Sequence, residues 1–178
     1  MSARGGRGGG SAHGLRSGPS KEGEKSMRWL ETRVPPPIVM LTMAAIALGI
    51  AHLGPGYRAY SPYANGAAAL LCLTGLSLNL IPKLAFRKVG TTVNPLRPGA
   101  ATCLITTGIY RHTRNPMYLG YALLLSGWVA HLGSVAALTV VPVFVLYITR
   151  FQIRPEEAAL ARKFPHWESF RRHSPRWI

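Results

Sequence analysis

Aspartate is absent from this sequence, and its six acidic residues, all glutamate, stand against 21 lysines and arginines for a formal charge of +15. A surface so poor in acid points to an anionic partner, either the phosphates of a nucleic acid or the headgroups of anionic lipid. Cysteine is scarce as well. Cys72 falls in an apolar run and Cys103 in a polar connection, with no spacing that suits a metal site or a redox pair. The apolar stretches lack the charged stripe of an amphipathic helix, which argues against a soluble bundle. A secretory signal peptide is not recognisable either. The first apolar run is followed by Gly54-Pro55-Gly56 in place of a small-residue cleavage site, so it is expected to remain in the membrane.

What the sequence does contain is hydrophobic residue, 48% of the chain. Its basic residues are segregated from the apolar runs instead of interleaved with them, which favours a membrane over a nucleic acid. Residues Met1 to Ser26, with the run Arg4-Gly5-Gly6-Arg7-Gly8-Gly9-Gly10, have little to bury. They read as a disordered, solvated basic arm near anionic lipid, with an RNA-binding tail as the alternative.

Residues 27–178 are expected to form one all-α integral membrane domain with about four transmembrane helices, at about 34–53, 64–81, 116–132 and 134–153. The first is entered through Pro35-Pro36-Pro37, and the second stops at Pro82-Lys83. From Met117 to Ile153 the only charge is Arg150, a stretch too long for one crossing. Its natural break is His131-Leu132-Gly133-Ser134, which makes the last two spans a helical hairpin, with Pro142 bending the fourth. Each uninterrupted run is roughly 24 Å of helix, short of a hydrocarbon core of ~30 Å. Flanking residues must complete the spans, with Tyr57, Tyr60, Tyr63, Tyr118, Trp128 and Tyr147 as interface anchors and Lys83 and Arg150 snorkelling.

Orientation follows from lysine and arginine in the short connections. Lys21, Lys25, Arg28 and Arg33 precede the first span, and Lys83, Arg87, Lys88, Arg97, Arg111 and Arg114 lie between the second and third. Arg154, Arg162, Lys163, Arg171, Arg172 and Arg176 follow the fourth, whereas residues 54–65 hold only Arg58. Four spans with both termini in the cytoplasm, in the cell membrane, satisfy every connection.

Chemistry is expected in the polar material on that face, residues 82–116 and 154–178. In Arg114-Asn115-Pro116-Met117-Tyr118, proline sits where a helix takes its first turn, leaving backbone N–H groups aimed at the loop. Such an N-terminus beside an arginine suits a carboxylate, although a plain helix start with positive-inside arginines also explains it. Glu156-Glu157 follows Pro155, where either a first-turn preference for acids or the capture of a substrate ammonium accounts for the pair. Leu160, Phe164, Trp167 and Phe170 recur at helical spacing, as in a short C-terminal amphipathic helix at the membrane surface, which Pro165 must interrupt or kink.

Together these residues resemble the isoprenylcysteine carboxyl methyltransferase family, which also embraces phospholipid and thiol methyltransferases of membranes. The resemblance runs from about Leu80 to Ile178. It is carried by Phe86-Arg-Lys-Val-Gly-Thr-Thr-Val-Asn-Pro95, by Leu104-Ile-Thr-Thr-Gly-Ile-Tyr-Arg-His-Thr-Arg-Asn-Pro-Met-Tyr-Leu-Gly120, and by Glu156-Glu157, Phe164 and Arg176-Trp177-Ile178. It implies an S-adenosylmethionine-dependent methyltransferase whose cofactor pocket is built from Arg114, Asn115, Pro116, Tyr118, Glu156 and Glu157, with Tyr110 and His112 as lining. Asn115 stands where the family often has histidine, so hydrogen bonding is kept and a titratable base is not. Pro165 likewise stands where the family usually has glycine.

By the same resemblance Glu156 or Glu157 receives the cofactor's α-amino group, and Arg114 or the N–H groups near Pro116 its carboxylate. Arg172 or Arg176 is then left to hold an anionic acceptor. Methyl transfer is an in-line displacement at a sulfonium, so positioning supplies much of the catalysis and no metal is called for. The expected partners are membrane lipids and a lipidic, thiol or carboxyl acceptor, without nucleic acid. A non-catalytic membrane scaffold is the competing reading.

Overall fold

In a computed structural model of the chain, residues 34–54, 62–89 and 104–178 are described; for residue 62 and residues 85–89 this covers the backbone alone. The basic arm expected at 1–26, the anchors Tyr57 and Tyr60, Cys103, and most of the Phe86–Pro95 motif lie outside the described residues or side chains.

Helix α1 spans Pro36–Leu53 and α2 Pro62–Val89. A 3-10 turn, Gly108–Arg111, precedes α3, Pro116–Leu132. After a second 3-10 turn, Ala136–Thr139, one continuous run follows: α4 (Val140–Ile148), a π-turn (Thr149–Ile153) and α5 (Arg154–Lys163). Helix α6, Trp167–His173, closes the described structure. Among the described residues there is no β-strand.

Among the described residues three stretches are long and apolar enough to cross a membrane: Pro36–Leu53, Tyr63–Leu84 and Ala136–Lys163. In the third, the apolar residues end at Ile153, and the segment from Arg154 onward is polar. The chain thus has the build of a membrane protein. Its outward faces agree, because Leu41, Leu70, Leu73, Leu76, Leu80 and Leu84 are all exposed. A continuous apolar surface of this kind is a liability in water and is solvated by lipid. The hydroxyls on those faces need no water: Thr42, Thr74 and Ser77 donate back to the carbonyls of Ile38, Leu70 and Leu73.

Helix α3, the expected third span, has 17 residues and lies at the centre. Its Tyr118, Tyr121, Ala122, Leu125 and Val129 share a core with Val39 and Ala47 of α1 and with Val140, Phe144 and Ile148 of α4. Against α2 it packs backbone to backbone. A Cβ on Gly75 would lie 2.7 Å from the Gly120 carbonyl oxygen, and one on Gly120 would lie 2.6 Å from that of Gly75. Between two apolar helices in lipid, small residues supply close contact where water supplies no hydrophobic drive. Asn79 fixes the register by donating from Nδ2 to the Met117 carbonyl at 3.2 Å.

The structure departs from the expected elements at two prolines. Helix α2 runs through Pro82 to Val89 instead of stopping at Pro82-Lys83, and the buried Pro82 loses its own N–H bond and crowds the carbonyl four residues back without ending the helix. Pro142 lies in the first turn of α4, and the departure from α geometry comes later, at Thr149–Ile153. There Pro155 supplies no N–H, and its ring crowds the carbonyl four residues back. The widened turn relieves that crowding, with the Arg154 N–H reaching the Thr149 carbonyl. The break at Gly133 is as expected, with the glycine in the left-handed region at φ 64°.

Candidate functional site

The site is assembled where the loop before α3, the start of α5 and residues 174–177 converge. Asn115 is the N-cap residue of α3, yet its side chain does not cap the helix. Instead Nδ2 donates to the Arg176 carbonyl at 2.9 Å, and the Arg114 backbone N–H donates to the Pro175 carbonyl at 2.9 Å. The buried Ser174 hydroxyl donates to the Tyr110 carbonyl, and Trp177 Nε1 donates to Thr149 Oγ1 at 3.2 Å. The C-terminal segment is thereby strapped to the 3-10 turn, to the start of α3 and to the π-turn. Leu160, Phe164, Trp167 and Phe170 pack beneath it against Leu104, Ile105, Ile109 and Tyr110. Pro165 does interrupt this stripe, separating α5 from α6.

Three charges meet inside this frame. Glu157 Oε1 lies 3.1 Å from Arg114 Nη2, and Arg176 grips the same carboxylate with Nε and Nη2 at 3.2 and 2.7 Å. The Arg114 side chain is 8% exposed and that of Glu157 12%. Arg114 also donates from Nη1 to the Arg171 carbonyl at 2.8 Å and sits over the Trp167 ring, 5.9 Å from its centroid. Its Nε is buried without a partner. Burial pulls the Arg114 guanidinium below its ordinary value and the Glu157 charge pulls it back up, while Arg176 and Arg171 lower it further. From so high a starting point it stays charged. The pairing with Glu157 raises Arg176.

Glu156 is placed differently. It is half-buried at the start of α5, and its Oε2 accepts a hydrogen bond from the Tyr118 hydroxyl at 2.9 Å. Arg114 and Arg176 form their salt bridges with Glu157 and not with it. Burial raises its pKa to about 7, against the lowering effect of the Tyr118 hydrogen bond, and the neighbouring Glu157 charge adds to the rise. Tyr110 is a phenol held well above its usual range by burial first and by Glu156 second.

Of the residues singled out in the sequence, Arg114, Asn115, Pro116, Tyr118, Glu156, Glu157 and Arg176 come together here, with the buried Tyr110 beside them. His112 and Arg172 are exposed and make no part of the ion-paired cluster. Thr113, Arg171, Ser174 and Trp177 were not expected. Thr113 is 2% exposed and its Oγ1 accepts from the Asn115 N–H at 3.2 Å. Their contributions run through backbone groups and long-range contacts, which leave no spacing signal.

The cluster carries two guanidinium groups for one carboxylate, together with an unpartnered buried N–H. The excess of positive charge suits a ligand that presents a carboxylate or another anion. Neither the curated proteins nor the solved structures gave a match to the chain. A family model described as phospholipid methyltransferase matches residues 64–166, which takes in α2, the loop, α3 and the Glu156-Glu157 pair. That stretch is more than half of the 178 residues, and the chain belongs to the phospholipid methyltransferase family, within the isoprenylcysteine-type group of membrane methyltransferases.

Proposed function

We propose that the protein uses S-adenosylmethionine to methylate the amino headgroup of a membrane lipid at the cytoplasmic face. The observation that carries this reading is the cluster of Arg114, Glu157 and Arg176 within the fold of a methyltransferase family. The carboxylate of a zwitterionic amino-acid end answers the cluster's excess positive charge, and its ammonium answers Glu157. The bound cofactor supplies an electrophilic methyl group on a sulfonium. Glu157 keeps lone-pair capacity for an ammonium beyond the three guanidinium contacts it already accepts. The Arg114 Nε, Arg176 and the first N–H groups of α3 are the donors this reading assigns to its carboxylate. Tyr110, Tyr118 and Pro116 form the wall, and the exposed Arg172 is left for the acceptor's phosphate.

The supporting topology is four spans, with α3 as the third and the apolar part of the α4 run as the fourth. The basic residues before α1, between α2 and α3, and after Ile153 then share the cytoplasmic side of the cell membrane. The basic arm at 1–26 lies along anionic lipid. A lipid acceptor reaches such a site laterally, which suits a pocket at the membrane edge.

Labelled methyl transfer from S-adenosylmethionine to an aminophospholipid, an isoprenylated cysteine peptide and a small thiol tests this reading. Transfer to the aminophospholipid is expected, with loss of cofactor binding in Glu157→Ala and Arg114→Ala. Purified protein that binds no cofactor, or variants that bind like the parent, overturns it and leaves the scaffold reading.

A further inference from the structure

Hydroxyl groups along the apolar helices are returned to their own backbone: Thr42, Thr74, Ser77 and Ser126 each donate to the carbonyl four residues back. Trp128 Nε1 donates across to the Ala44 carbonyl at 3.1 Å. Tyr121 departs from this pattern. It is 8% exposed, in the core that α3 shares with α1 and α4, yet its hydroxyl makes no hydrogen bond among the described residues. Nor is that oxygen walled in, since the fully enclosed polar atoms without a partner are Arg114 Nε and Gln152 Oε1. Tyr121 thus combines a buried ring with a hydroxyl that is unbonded and open to an approaching molecule.

Hydrocarbon offers no acceptor, so a phenol held among apolar side chains calls for a partner that arrives with a ligand. The position of Tyr121 says which ligand. It follows Tyr118 by three residues on the same side of α3, about 4–5 Å further along the helix axis and so deeper in the membrane. Tyr118 reaches Glu156 at the level of the charged cluster, where the amino-acid end of a water-borne cofactor is assigned. An aminophospholipid enters from the bilayer with its amine at that level and its ester carbonyls below the phosphate, deeper than the amine. We infer that the Tyr121 hydroxyl donates to an ester carbonyl of the acceptor and so selects diacyl glycerophospholipids as substrates. The inference rests on the reading of the acceptor as a membrane lipid amine.

The acceptors weighed for this site differ at the depth of Tyr121. An isoprenylated cysteine places a hydrocarbon chain and its thioether there, and a small thiol does not extend so far. A phospholipid brings two carbonyl oxygens. A donor in apolar surroundings discriminates against an analogue that lacks the matching acceptor, because the unmade bond leaves the phenol desolvated and unpaired. What Tyr121 reads is the linkage of the acyl chains and not the headgroup. Its contribution is therefore separate from that of Arg114, Glu157 and Arg176, which hold the cofactor.

The test uses the full chain in nanodiscs of diether phosphatidylglycerol, a host without ester carbonyls. Two acceptors are titrated into it: diacyl phosphatidylethanolamine and its dialkyl-ether counterpart, which keeps the headgroup and chain lengths but has no carbonyl. Tyr121→Phe is the variant, and cofactor affinity is read alongside. In the parent, kcat/KM is expected to be about 5–10-fold higher for the diacyl lipid, with the difference carried by KM. Tyr121→Phe should bring the diacyl value down to the diether one, leaving the diether value and the cofactor affinity in place. A parent that uses the two lipids equally overturns the inference, a readout that stands even if the variant fails to fold. So does a variant that keeps the parent's preference, loses rate on both lipids alike, or binds the cofactor more weakly. A parent that binds no cofactor or methylates no lipid amine fails the proposed function itself, and this inference falls with it.

Discussion

Arg176 and Glu157, 19 residues apart in the chain, meet as a two-pronged pair, with Nε to Oε1 at 3.2 Å and Nη2 to Oε2 at 2.7 Å. Arg114 approaches the same carboxylate from the loop before α3. Removing the acid leaves two guanidinium groups facing each other. Glu157→Ala is therefore expected to cost about 1–3 kcal/mol of stability, because the remaining charges are buried or half-buried and uncompensated. Thermal unfolding in detergent, compared at low and high salt, measures it. A Glu157→Ala protein as stable as the parent at low salt would show that the pair contributes nothing.

Tyr118→Phe removes one hydrogen bond from Glu156, a loss of about 1 kcal/mol. That bond favours the ionised carboxylate, so its removal moves the pKa of Glu156 upward. The protonated-carboxyl infrared band of Glu156 should titrate at higher pH in Tyr118→Phe than in the parent. A band that titrates where the parent's does would break the link between the two residues.

Glu156 also sets a sign for stability. Its pKa is raised on folding, so the folded protein binds more protons than the unfolded one between the ordinary carboxylate range and about 7. Its contribution to stability is fully present below that range and is lost as the pH climbs to about 7. Glu156→Gln should match the parent near pH 4 and exceed it at pH 8 by about 1–2 kcal/mol. Unfolding midpoints at the two pH values decide the matter.

The α2–α3 contact predicts its own sensitivity. Gly120→Ala places a methyl group 2.6 Å from the Gly75 carbonyl oxygen, where backbone and not a flexible side chain has to give way. About 1–3 kcal/mol of destabilisation is expected. Gly49→Ala, with nothing within 4 Å of the new Cβ, should change little. Paired melting curves of the two variants compare a tight site with an open one.

Much of this fold is legible in the sequence because apolar runs and their punctuation are local signals. The run entered at Pro35-Pro36-Pro37 became α1, Gly133 ended α3, and Pro165 parted α5 from α6. The passage of α2 through Pro82 was not legible, since a lone proline reads as a stop unless its neighbours are known. At the site, sequence reasoning brought Arg114 and the two glutamates to one face. It had no means of dividing their partners. That division depends on the π-turn at Thr149–Ile153, because one extra residue in a helix rotates everything after it by about 100°. The strap was hidden for another reason. It is held by the carbonyls of Pro175 and Arg176, and a carbonyl belongs to every residue type.

The touching backbones of Gly75 and Gly120 have one further consequence. Two helices whose backbones touch, and which Asn79 also ties together, have little slack to shear or slide, so α2 and α3 behave as a door frame. On the proposed function, movement that admits the cofactor is taken up on the other side, by α5, α6 and the strap. There the ties are hydrogen bonds and an ion pair, such as Trp177 to Thr149 and Arg176 to Glu157, and not interlocked helix backbones. The pair of glycines therefore fixes which wall of the pocket stands still.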